Sequence, residues 1–103
     1  MAVTNTNIAI ALENAAQVLE RDGWTKGVPS YPDQAGPQSL VGALWTSTKR
    51  WDFPMSLAVD NEVWLQIEMD YDSNVYMWES GLNDKRVITR MFRRAARRVL
   101  ARK

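Results

Sequence analysis

Glu62-Val63-Trp64-Leu65-Gln66-Ile67-Glu68-Met69-Asp70-Tyr71-Asp72-Ser73-Asn74-Val75-Tyr76-Met77-Trp78 is the stretch whose reading decides the fold. Val63, Leu65, Ile67, Met69 and Tyr71 alternate with Glu62, Gln66, Glu68, Asp70 and Asp72, a period of two spoiled only by Trp64, which is the pattern of a half-buried strand. Asp72, Ser73 and Asn74 suit a turn, because short polar side chains bond the neighbouring backbone, and Val75 to Trp78 would form the returning strand. Placed at the helical repeat, the apolar residues scatter all round the axis. The local reading of 62–78 is therefore a short β-hairpin, with a fourth helix as the alternative.

On either side the pattern is helical. Thr4 to Asn7 supplies capping side chains, and Ile8, Leu12, Ala15, Ala16 and Leu19 follow at helical spacing until Gly23, the residue best able to take a left-handed cap. Between Gly23 and Gly36 three glycines and two prolines forbid regular structure and predict a long loop. Pro37 suits the first turn of a second helix containing Leu40, Val41, Ala43, Leu44 and Trp45, with Gly42 in its interior. Asp84 then caps a last helix, because residues 85–103 contain neither Gly nor Pro and are rich in strong helix formers. The expected fold is mainly α, a single domain over 1–103 with three to four helices and the possible short hairpin within 62–78.

Charge is sorted into blocks. Residues 1–50 carry four acids and four bases, residues 51–84 eight acids and no base, and residues 85–103 nine bases and no acid, so a net charge of +1 conceals a dipole. On the last helix Ile88, Met91, Phe92, Ala95 and Val99 share one stripe, while Arg86, Arg90, Arg93, Arg94 and Arg97 lie opposite. Guanidinium forks match phosphate or carboxylate oxygens two at a time, so this strip suits nucleic-acid phosphate, an acidic patch on a protein partner, or the chain's own acidic zone. Conversely, the eight acids of Asp52 to Asp84 are numerous enough to imitate a phosphate backbone and occupy a DNA-binding protein, or else form a solvated surface.

Catalytic equipment is sparse. Without His or Cys the chain lacks the commonest proton shuttle, the commonest metal ligand and the best nucleophile, so no enzyme activity, no cofactor and no metal site are expected. Asp70-Tyr71-Asp72-Ser73-Asn74 opens like a calcium loop, but Val75 stands where that loop needs Gly and Gly81 where it needs a bidentate Glu. Absence of cysteine is compatible with a reducing compartment, and no apolar run is long enough to span a bilayer, so a soluble, cytoplasmic protein is expected. Of the five tryptophans most should be core, and Trp24 beside the loop and Trp51 beside Lys49 and Arg50 are candidate interface anchors.

Leu12 to Gly27 with its Gly23-Trp24-Thr25-Lys26-Gly27 end, Val41-Gly42-Ala43-Leu44, and Trp78 with Asn83-Asp84 before a closing Ala95-Ala96 helix resemble a family of small actinobacterial and actinophage proteins of unknown function. Ser39 and Leu40 stand in the region where that family often has cysteine, and Glu79 to Leu82 separate Trp78 from an Asn-Asp that is otherwise contiguous with it. The resemblance implies a mainly helical domain and favours helix for Asp60 to Tyr71. It carries no activity. The functional expectation is a non-enzymatic interaction module, phage-encoded and directed at a host protein, with nucleic-acid binding through the Arg strip and DNA mimicry by the acids as alternatives.

Overall fold

A computed structural model describes residues 2–26, 37–48 and 53–102, with the side chain of Tyr76 excepted. Among the described residues there are five helices: α1 (Asn5–Asp22), α2 (Leu40–Thr48), α3 (Phe53–Tyr71), α4 (Val75–Ser80) and α5 (Lys85–Ala101). Trp51 and residues 27–36 of the stretch expected to form the Gly23 to Gly36 loop lie outside the described residues.

α1 begins where the Thr4 hydroxyl accepts the Asn7 N–H at 3.1 Å, satisfying an amide that the first turn leaves unpaired. It ends at Gly23, whose N–H reaches Leu19 O at 3.0 Å and whose φ of +91° strains any residue with a side chain. A Cβ there would meet Pro37 at an ordinary 3.6 Å, so backbone conformation, not space, requires glycine. The chain then forms an isolated parallel bridge between Trp24 and Gln38, in which Gln38 N donates to Gly23 O and Thr25 N to Gln38 O.

α2 starts later than the sequence suggests. Ser39 caps it, its hydroxyl accepting the Gly42 N–H at 3.0 Å, and Pro37 lies outside the helix as the residue leading into the bridge. Proline has no side-chain acceptor with which to cap, whereas Ser39 has one placed to reach the first turn. α2 and α3 are tied by a 2.7 Å hydroxyl contact between the buried Thr48 and Ser56.

Of the two readings of 62–78 the helical one is found, as the resemblance implied for Asp60 to Tyr71, and the hairpin does not form. Residues 62–71 are the C-terminal half of α3, Asp72 at φ 51° turns the chain, and Asn74 caps α4 by accepting the Met77 N–H at 3.0 Å. The alternation was misleading because burial cuts across it. Val63 and Ile67 are buried but Leu65 and Met69 are exposed, while the polar Glu62 and Gln66 are inside. Four-residue spacing, not two, selects the inner face of α3.

Asp84 caps α5 by accepting the Arg86 N–H at 2.9 Å, and Ile88, Met91, Phe92, Ala95 and Val99 are all buried, as their stripe requires. α1 and α5 make the most extensive helix pair. They run antiparallel: Asn5 meets Arg102 at one end and Glu20 meets Arg93 towards the other. Leu12, Ala15, Ala16 and Leu19 of α1 share the core with the apolar stripe of α5, Leu40 and Ala43 of α2, and Met55, Val59, Val63 and Ile67 of α3.

Candidate interaction surfaces

The basic helix divides its arginines by angle. At about 100° per residue, Arg86, Arg90 and Arg97 form the outermost ridge of α5, Arg93 leans towards one flank, and Arg94 and Arg98 towards the other. On the α1 flank, Arg93 grips Glu20 with both terminal nitrogens at 2.9 and 2.7 Å and reaches Glu13 with Nε at 3.2 Å. That fork, with help from Lys85, holds the Glu20 carboxyl below its ordinary range against the opposing effect of desolvation.

On the α3 flank, Arg94 Nε bonds Asp70 at 3.0 Å and its Nη2 bonds the Tyr71 hydroxyl at 2.9 Å. Gln66 donates to the same Asp70 oxygen at 2.9 Å, and these bonds together lower the Asp70 pKa. Arg98 spans three acceptors: Gln66 Oε1 at 2.8 Å, Glu62 Oε1 at 3.0 Å and the Glu62 carbonyl at 3.0 Å. Arg102 takes the second Glu62 oxygen at 2.6 Å. Glu62 is only 8% exposed, so both carboxylate oxygens are matched by guanidinium within a shielded site. Arg98 and Glu62 were missed as a pair in the sequence, although Arg98 sits a flank's width from the exposed ridge.

On the ridge itself, Arg86 pairs with the capping Asp84 at 2.8 Å, and its side chain with its backbone N–H pushes that carboxyl down to about 2. Arg90 and Arg97 are exposed, and neither makes a hydrogen bond or ion pair with a described residue. Arg97 borders a shallow groove between α1 and α5 in which Ile10 and Leu100 are exposed.

Trp24 is half-buried against the core. Its indole N–H donates to Glu79 Oε2 at 2.7 Å, and that same oxygen accepts the Leu40 N–H at 2.8 Å. Lys26 lies 5.9 Å from the Trp24 ring centroid and donates to Ser80 O, so the side chain expected as an interface anchor is engaged within the chain. Glu79, buried and given no role by the sequence, is the acceptor that joins the exit of α1, the start of α2 and α4.

The apolar surface lies elsewhere. Phe53 (76% exposed), Leu57 (63%), Trp64 (48%) and Met69 (60%) on α3, with Met77 (71%) on α4, are large side chains in solvent. By helical angle Phe53, Leu57, Asp60 and Trp64 fall within an arc of about 60°, and the stripe runs roughly 16 Å along the axis. Among the described residues there is no cluster of three or more His, Cys, Asp or Glu side chains able to hold a metal ion, and no helix is long and apolar enough to cross a membrane.

The class these features define is a small, mainly helical domain whose described surface carries paired charge and exposed apolar side chains. Residues 3–98 match a family of unknown function (DUF6197), and the chain belongs to that family. No curated protein and no solved structure was found to match it.

Proposed function

We propose that the chain is a non-enzymatic module that binds a partner protein through the outward face of α3. One observation carries this reading: the large apolar residues of that face are in solvent, although the chain buries a complete core without them. Exposed apolar groups gathered on one face mark interaction surfaces, whereas isolated ones need no explanation. The arginine strip is a poorer anchor, since Arg93 and Arg94 are committed to acids of α1 and α3. A cytoplasmic host protein as the target, and an actinophage or actinobacterial origin for the chain, extend the proposal on the strength of the sequence resemblance.

Affinity capture with the wild-type chain and with Leu57→Asp is the test. Leu57 is 63% exposed, so the substitution alters the surface and spares the core. Capture that Leu57→Asp abolishes and Arg90→Ala leaves intact supports the reading; capture unaffected by Leu57→Asp refutes it.

Nucleic-acid binding is favoured by one feature, the outer ridge of Arg86, Arg90 and Arg97, where Arg90 and Arg97 are exposed. Nuclease treatment during capture discriminates between the two. DNA mimicry has fewer carboxylates to offer, because Glu62 and Glu79 are buried and Asp70 and Asp84 are held by Arg94 and Arg86.

A further inference from the structure

Asp60 is the polar break in the α3 stripe, three residues after Leu57 and four before Trp64, which places it between them on the helix surface. Its Oδ1 is shielded from water and has no hydrogen-bond partner. The other half-buried or buried acids of α3 are satisfied: Glu62 by Arg98 and Arg102, Asp70 by Arg94 and Gln66. Those residues occupy the edge of α3 that faces α5, and Asp60 lies roughly 120° round the helix from it, beyond the reach of the basic helix. Asp60 is only half-buried, so its other oxygen can take a donor from outside, and a cation placed there would offset the cost of the oxygen left without one.

Among the described residues, the charged side chains of α3 have a single sign. α3 contains no Lys or Arg, and its exposed Glu68 and Asp72 neighbours add negative charge. An anion, an acidic peptide or the α3 face of a second copy would therefore meet like charge here.

Resting on the interaction-module reading, we infer that the occupant of the α3 stripe is a basic amphipathic helix, whose apolar residues cover Phe53, Leu57 and Trp64 and whose Lys or Arg donates to Asp60. Burial pushes the free Asp60 carboxyl up to about 6, and a docked cation draws it back down, so docking releases a proton and tightens as pH rises through that value.

A displayed library of amphipathic helices, with fixed apolar positions and polar positions randomised among Lys, Gln and Glu, tests this directly. Selection on the wild-type chain is expected to enrich Lys. A synthetic peptide from the enriched pool should bind Asp60→Asn about tenfold or more weakly, lose binding to Leu57→Asp, and gain affinity for wild type but not for Asp60→Asn between pH 5 and 7. Enrichment of Glu, indifference to charge, or equal binding to Asp60→Asn overturns the role of Asp60; if binding still fails with Leu57→Asp, the interaction-module reading survives. Peptides that ignore Leu57→Asp, or no enrichment at all, overturn both. Circular dichroism of the two variants, both at surface-edge positions, confirms that the fold is intact.

Discussion

The indole N–H of Trp24 and the carboxylate of Glu79, 55 residues apart in sequence, meet at 2.7 Å, and Leu40 N–H meets the same oxygen at 2.8 Å. A single buried oxygen thus ties the residue after the exit of α1 to the first residue of α2. Glu79→Ala leaves two donors unpaired in a shielded site and is expected to cost about 2 to 4 kcal/mol, whereas Trp24→Phe, which keeps most of the ring, should cost about 1. Denaturant melts that rank these in the opposite order would place the weight on the ring instead of the bond.

Leu19 is fully buried and Glu20 is half-exposed beside it. Leu19→Ala should cost about 2 to 5 kcal/mol, because a cavity remains where the methyl groups were. Glu20→Ala should cost no more than about 1, since its pair with Arg93 lies in solvent. Equilibrium unfolding of both variants measures the difference.

Arg98 and its neighbour Arg97 offer a sharper contrast. Arg98→Ala strands the shielded Glu62 carboxylate, leaving it only Arg102, and is expected to cost about 2 to 3 kcal/mol. Arg97→Ala should change stability by less than about 0.5. If Arg90 and Arg97 contact phosphate, their double replacement lowers the salt slope of nucleic-acid binding by about 2, and no binding at about 50 mM salt eliminates that reading.

Acid titration should be biphasic. The Asp60 carboxyl, raised to about 6 by burial, binds its proton more tightly in the folded chain, so its contribution favours the fold below about pH 4 and fades as pH rises through 6. Glu20, Asp70 and Asp84, all lowered by arginine or amide donors, contribute above about pH 4 and lose that contribution as pH falls towards 2. Melting temperature is therefore expected to rise slightly from pH 7 to 5 and to fall below 4. Asp60→Asn should remove the first phase and leave the second, and an unchanged first phase would assign it to another group.

The elements legible in the sequence were those whose inner face obeys one period. α1 and α5 each bury a single apolar stripe, and Gly23 and Asp84 mark boundaries by backbone and capping chemistry that is local to them. α3 was opaque because what makes Glu62 and Gln66 internal is Arg98, more than thirty residues further on, and no local pattern encodes that partner. The arginine strip was half legible: helical angle separates ridge from flank, but only the packing of α1 and α3 decides that the flanks are closed. The α3 stripe is not legible from the local pattern because no reading covers residues 53–59, although the spacing of Phe53, Leu57 and Trp64 carries its signal.

α5 is the helix on which α1 packs most extensively and from which Glu62 receives its counter-charge. In the order of synthesis it follows α1 to α4. Through residue 84 the growing chain carries an excess of eight acids and an α1 without its principal neighbour. A chain that has reached only residue 84 therefore packs α1 on α2 but lacks the most extensive helix contact of the fold. That contact waits for α5 to bring Arg102 back to Asn5, and such distant pairing slows folding relative to bundles whose sequential neighbours supply every contact.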